Sequence, residues 1–208
     1  MAFMQIRTRG YLPHLEETEA TYFVTFRLEG SLPQSVLQQI AEETKALSNI
    51  SQRTYLSKDQ LTRQKYLQTR AIQQYLDRGL GECWLSNPLI ADTVSNALHF
   101  FNNKRYESHA FSIMPNHVHW LFTPVEDFRL ARILHGLKSY TANEANKILQ
   151  RAGRFWEKEY YDHMVRDVEQ FGKIVIYILE NPVKAGLCNE WSDWKWSWCS
   201  EAIRAVIT

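Results

Sequence analysis

Glycine and proline are scarce, eight and six in 208 residues, which leaves little room for a disordered or collagen-like stretch. Long apolar runs are absent too. The longest unbroken aliphatic and aromatic run, Ile174 to Leu179, has six residues, whereas a membrane-spanning helix needs about 20, so no membrane segment is expected. Met1 to Gly10 holds no apolar core of signal-peptide length, which argues against secretion. Cysteine is limited to Cys83, Cys188 and Cys199, odd in number and without close metal-type pairing, the pattern of a reduced, cytoplasmic thiol set. Neither sign of charge dominates. The 24 basic and 23 acidic side chains leave a net +1, which argues against binding by bulk phosphate neutralisation, though a local basic strip remains compatible. Lys58 to Arg78 is such a strip, with five basic residues against Asp59 and Asp77; a solvated helix face is the simpler account of it. What is present is 45% hydrophobic and 13% aromatic residues, enough for one globular domain over residues 1–208.

Thr21 to Leu28 (TYFVTFRL) alternates, with Tyr22, Val24, Phe26 and Leu28 on one side and Thr21, Thr25 and Arg27 on the other, a strand with one buried face. Ser31-Leu32-Pro33 reads as a helix start, and Gln34 to Leu47 and Lys58 to Leu76 are rich in helix formers. Another helix is expected from Pro88 to about Asn102. The stretch of about 31–87 is too long for a connection and reads as an embedded helical insertion. His109 to Met114 and His117 to Phe122 flank a Pro115-Asn116 break, the pattern of a hairpin. A helix from about Phe128 to Gln150 follows, then an aromatic stretch from Phe155 to Val165 containing a strand. A last helix spans about Asp167 to Asn181, its stop placed by Pro182, with Val168, Phe171, Val175 and Ile178 facing the core. Trp194, Trp196 and Trp198 alternate in a strand-like flap within about 188–208. The order implies an α+β fold, an antiparallel sheet with packed helices.

His117 and His119, at i and i+2 on a strand, point to one side and can converge on one metal ion. Such a pair can equally be hydrogen-bonded surface residues. In the last helix, Tyr177 and Asn181 form an i, i+4 pair on the face that also carries Lys173 and Lys184. A tyrosine there is ordinarily a packing residue; beside a metal it becomes a candidate nucleophile, with Asn181 an oxygen donor and the lysines phosphate contacts. Arg166 and Lys138 are further candidate DNA contacts, although an ion pair accounts for Arg166 and a surface position for Lys138 and His135. Tyr160 and Tyr161, and more weakly Tyr140, are alternative nucleophiles by type, His163 is a further candidate DNA contact beside Arg166, and the tryptophans could stack on unpaired bases.

These residues carry a resemblance. Met114 to His119 (MPNHVH), Phe155-Trp156, Tyr161-Asp162, Arg166-Asp167 and Tyr177 to Leu187 (YILENPVKAGL) resemble, in this order, the REP-associated tyrosine transposases, relatives of the single-tyrosine insertion-sequence transposases of the HUH class. Arg9 to His14 (RGYLPH), Phe23 to Arg27 (FVTFR) and Tyr75 to Gly79 (YLDRG) resemble one branch of that family. The resemblance implies a ferredoxin-like βαββαβ palm, His117 and His119 as ligands to Mg²⁺ or Mn²⁺, Tyr177 as the catalytic tyrosine and Asn181 as a third ligand. It further implies nicking and rejoining of single-stranded DNA beside REP-like hairpins through a 5′-phosphotyrosine, in a bacterial-type cytosol or nucleoid. ATP is not required, consistent with the lack of a Gly-rich phosphate loop. Two other readings differ in chemistry: a domesticated hairpin-binding protein with an idle site, and a metal phosphodiesterase that uses water. Monomer and homodimer are both compatible with the sequence.

Overall fold

The structure, a computed structural model, describes residues 5–8, 13–16, 20–38, 42 and 72–207. The described chain begins with a two-stranded antiparallel ribbon, β1 (Gln5–Thr8) and β2 (Pro13–Glu16). β3 (Tyr22–Leu28) follows, then α1 (Pro88–Phe100), β4 (Tyr106–Ile113), β5 (His117–Pro124), α2 (Leu130–Ile148), β6 (Trp156–Met164) and α3 (Val168–Lys184). β7 (Ser197–Cys199) and a short α4 (Glu201–Ile207) close the chain. Residues 34–38 and 72–77 are helical. The remainder of the two helices expected between β3 and α1 lies outside the described residues.

The main sheet has the order β6-β3-β5-β4-β7, with every neighbouring pair antiparallel. Without β7, that order and the succession β3-α1-β4-β5-α2-β6 are the ferredoxin-like arrangement, in which each helix carries the chain past an intervening strand. Both crossover helices pack on one face. Asn87 caps α1 by accepting the Leu89 N–H at 3.0 Å, with Pro88 at the first helical position. Tyr22, Val24, Phe26 and Leu28 of β3 and Val118, Trp120 and Phe122 of β5 join Ile90, Val94 and Leu98 of α1 and Leu134 and Leu137 of α2 in the larger core. The buried indoles are satisfied, Trp120 by Ser108 and Trp156 by Thr141, both at 2.9 Å.

The opposite face departs from expectation. The alternation in β3 predicts one buried face, yet Phe23 and Thr25 are also buried, because α3 lies across that side with Val175, Ile178 and Leu179 against Phe23, Ala110 and Leu121. Asp167 caps α3 by accepting the Gln170 N–H at 2.7 Å. Val168, expected in its core stripe, is exposed instead; it occupies the first helical position, ahead of the turn at which Phe171 reaches the sheet. Nor does Pro182 end the helix. It lies within the last turn, itself buried, and the chain continues to Lys184. There Gly186, at φ +70°, donates to the Val183 carbonyl at 2.9 Å while Leu187 donates to the Pro182 carbonyl at 2.9 Å. This is a Schellman closure, and its glycine supplies the stop that the proline does not. The tryptophan flap is present as β7 against β4, with the Trp194 indole donating to the Ile113 carbonyl at 3.0 Å. Among the described residues no helix is long and apolar enough to cross a membrane.

Candidate metal centre and active site

The site lies between the sheet and α3. Strand alternation that sends Val118 and Trp120 to the larger core sends His117 and His119 to the other face, where both are fully buried. Their Nε2 atoms stand 2.9 Å apart. Asn116 orients the first ring: its Nδ2 donates to the Leu80 carbonyl at 3.1 Å, which leaves Oδ1 to accept from His117 Nδ1 at 2.6 Å. His117 therefore carries its hydrogen on Nδ1 and turns a lone pair inward. His119 Nδ1 is held 2.8 Å from the Thr25 hydroxyl on the adjacent strand, and Phe23 stacks on its ring with centroids 5.5 Å apart. Burial pushes the His117 pKa down to about 3; burial, then the neighbouring His117, lowers that of His119. Two neutral imidazoles, each fixed through Nδ1 and facing one another through Nε2, have the arrangement that could hold a metal ion, with its outer support in place.

α3 brings two more groups to the same point. The Tyr177 hydroxyl is 3.4 Å from His119 Nε2, with its ring edge-on to Phe23 at 5.9 Å. Asn181 Nδ2 is 3.3 Å from His119 Nε2, and Asn181 Oδ1 is buried with no hydrogen-bond partner among the described residues. A third donor arrives from the segment preceding α1. Asp77 Oδ1 lies 3.7 Å from His117 Nε2 and 3.4 Å from Asn181 Nδ2, and a donor atom from each of Asp77, His117 and His119 fits within 4.8 Å of the others. Burial raises the Asp77 pKa to about 6 against the opposing Asn181 hydrogen bond and the charge of Lys184. Burial, then the Asp77 charge, raises the Tyr177 phenol above its ordinary range. Imidazole, carboxylate and orphaned amide oxygen suit a divalent cation.

Of the candidate DNA contacts, Lys184 stands beside the site, its ammonium 6.0 Å from the Tyr177 ring centroid. Lys173 is exposed on α3 and paired with Glu169. Arg166 is exposed just before α3, its backbone N–H donating to Gln170 Oε1 at 2.9 Å. Lys138 does not belong with them. It sits on α2, across the sheet from Tyr177, and its ammonium donates to the Glu157 carbonyl at 2.7 Å and the Lys158 carbonyl at 3.2 Å. Tyr160 belongs to the larger core, whereas Tyr161 packs edge-on to Phe23 on the α3 side. A surface depression of about 710 Å³, lined by Tyr140, Asn143, Lys147 and Arg151, lies on α2 and includes none of the His pair's neighbours.

Residues 85–181 match the family model described as transposase, IS200-like. A REP-associated tyrosine transposase of Escherichia coli K12 is 27% identical over 97 residues, and a Haemophilus influenzae protein of the same designation is 27% identical over 112. Over this segment the chain is similar to the REP-associated tyrosine transposases. The aligned regions cover 46% and 49% of the chain, and 55% and 64% of the length of these two relatives. A solved REP-associated tyrosine transposase bound to a REP hairpin superposes with a TM-score of 0.52, at 18% identity, over 93% of this chain and 82% of that one, a likeness of fold. The family segment holds His117, His119 and Tyr177 and ends on Asn181, whereas Asp77 lies outside it. Three residues that build the site were not singled out from sequence for this role: Thr25, Asn116 and Asp77. Asn116 and Asp77 fall within family-like motifs, MPNHVH and YLDRG. Thr25 reads from sequence as an ordinary outward strand position.

Proposed function

We propose that this protein is a metal-dependent enzyme that nicks single-stranded DNA beside a hairpin and transfers the strand through a 5′-phosphotyrosine on Tyr177. The observation that carries the reading is the Tyr177 hydroxyl at 3.4 Å from a buried imidazole whose Nε2 is 2.9 Å from its partner's. His117, His119 and Asn181 are the residues to hold Mg²⁺ or Mn²⁺, whose charge would polarise the scissile phosphate and offset the cost of ionising a buried phenol. Tyr177 attacks phosphorus, the P–O3′ bond breaks, and the phenolic proton ends on the departing 3′-oxygen. The phosphodiester is exchanged for a phosphotyrosine ester, so a second 3′-hydroxyl can reverse the step. Phe23 and the last turn of α3 fix the tyrosine ring, which limits the positions its oxygen can take before attack. Lys184, with Lys173 and Arg166 further out, supplies positive charge along the path of the DNA backbone. The hairpin partner is supported by the similarity to REP-associated tyrosine transposases and by the REP hairpin held in the solved neighbour.

The test is a covalent-adduct assay with labelled hairpin-bearing single strands from the DNA flanking the gene, resolved on a denaturing gel. An adduct that requires Mn²⁺ or Mg²⁺ and disappears in Tyr177→Phe is the expected result. Cleavage that survives in Tyr177→Phe would assign water as the nucleophile. Tight hairpin binding without cleavage would make the protein a binder with an idle centre.

A further inference from the structure

The ligands assigned in the proposed function, His117, His119 and Asn181, carry no formal negative charge. Two neutral imidazoles and an amide oxygen offer a cation only lone pairs, whereas Mg²⁺ and Mn²⁺ are oxygen-seeking ions that favour carboxylates. The structure places one at the site. Resting on the reading of His117 and His119 as ligands, we infer that Asp77 is a further direct ligand of the same ion, delivered by the segment that leads into α1.

Distances and anchoring support this assignment. Donors about 2.1 Å from one ion stand about 3.0–3.5 Å from each other. The imidazole pair at 2.9 Å is already such an edge, and Asp77 Oδ1 at 3.7 Å from His117 Nε2 is a few tenths of an ångström from completing another. Asn181, 2% exposed, turns its amide to the same point, with Nδ2 3.3 Å from His119 Nε2, and its buried Oδ1 has no partner among the described residues. Asp77 is not there through a loose surface swing. Leu76 beside it is 2% exposed, the helical turn ends at Asp77, and Gly79 turns the chain at φ +63°. Leu80 then accepts the Asn116 amide at 3.1 Å, the Glu82 N–H reaches the Gly30 carbonyl at 3.1 Å, and the Leu85 N–H reaches the Pro115 carbonyl at 3.1 Å. The segment carrying the carboxylate is thus pinned to the turn that presents the histidines. The Asn116 amide that bonds Leu80 also sets the His117 tautomer, so ligand orientation on β5 and carboxylate delivery share one side chain. The competing role for Asp77 is to accept from Asn181 Nδ2, at 3.4 Å, without touching the ion.

The test uses the full chain with metal alone. Mn²⁺ affinity is read by electron paramagnetic resonance for wild type, Asp77→Asn and His119→Ala, and Co²⁺ absorption spectra are recorded for wild type and Asp77→Cys. Thermal midpoints of the metal-free proteins verify that each variant is folded. Asp77→Asn should weaken Mn²⁺ binding by about tenfold or more, His119→Ala should abolish it, and Asp77→Cys should gain a thiolate-to-cobalt charge-transfer band that wild type, with its three native cysteines, lacks. Weaker binding without the band assigns Asp77 to holding Asn181 and overturns the inference. Unchanged affinity in Asp77→Asn with loss in His119→Ala overturns it too, while leaving the histidine site standing. A wild-type protein that binds no Mn²⁺ overturns both.

Discussion

Replacing Thr25 by valine removes one hydroxyl from the centre of the protein and keeps the shape. Thr25 is 5% exposed on β3, and its oxygen is 2.8 Å from His119 Nδ1. No water reaches that nitrogen, since His119 is 0% exposed, so in Thr25→Val it is left buried without a partner whichever tautomer the ring adopts. A buried polar atom orphaned in this way costs about 1–3 kcal/mol, which for a chain of this size is a fall in melting midpoint of about 2–4 °C per kcal/mol. The second consequence is functional. With Nδ1 unheld, the ring is free to rotate about its stem or to place its hydrogen on Nε2, and metal affinity should drop about 10–100-fold, the usual effect of losing a partner behind a ligating histidine. Urea unfolding of the metal-free protein reads the first effect, and Mn²⁺ titration reads the second. Thr25→Ser, which keeps the hydroxyl and loses only a methyl, separates them: it should lower stability slightly and leave affinity close to wild type. If Thr25→Val matches wild type in both measurements, or if Ser and Val weaken metal binding equally, the hydroxyl does not position His119 and the reasoning fails.

Three further outcomes are expected. Mn²⁺ at about 100 times its dissociation constant should stabilise the fold by about 2.7 kcal/mol, seen as a raised melting midpoint that vanishes in His117→Ala; an equal rise in that variant would place the ion elsewhere. Gly81→Ala should destabilise more than Gly186→Ala in urea, since both glycines have positive φ but an added Cβ at Gly81 collides with the Gly30 carbonyl oxygen, while at Gly186 it meets none of the described residues within 4 Å; equal losses would mean that only backbone conformation matters. Burial lowers the pKa of His99, His109 and His163 in the folded protein, so below about pH 6.5 the unfolded chain binds more protons at these positions than the folded one. Their contribution to stability is therefore complete above that pH and declines as the pH falls toward the folded values, and urea midpoints should decrease between about pH 7.5 and 5.5. A midpoint that rises on acidification would contradict this.

Much of the frame was legible because it depends on local periodicity. Alternation marked β3 and β5, and it also put His117 and His119 on one face before any partner was known. The i, i+4 spacing placed Tyr177 and Asn181 on one side of α3 in the same way. Side chains whose surroundings are set by distant elements were not legible. Thr25 looks polar and outward until α3 covers that face, and Asp77 is brought to His117 by tertiary contacts through Leu80 and Glu82 rather than by any local repeat. Lys138 reads as a DNA contact on charge alone, yet α2 packs on the far side of the sheet and the ammonium is taken up by β6 carbonyls. Pro182 illustrates a different limit. Its missing N–H withdraws one helical bond, but the carbonyls of Asn181, Pro182 and Val183 are all satisfied by Ala185, Leu187 and Gly186, so the helix runs on until the glycine.

The hydrogen bond from Glu82 to the Gly30 carbonyl, with Gly81 pressed against the same oxygen, brings together the two ends of residues 31–81. A chain excursion closed at its base has a weak dependence on its own length: doubling it adds only about 0.6 kcal/mol of closure entropy. Related chains can therefore lengthen, shorten or rewrite what lies between Val36 and Leu76 at small thermodynamic penalty, provided that the two glycines still meet. The constraint on such variation is chemical, since any exchange that carries away the last helical turn before Gly79 carries away Asp77 with it.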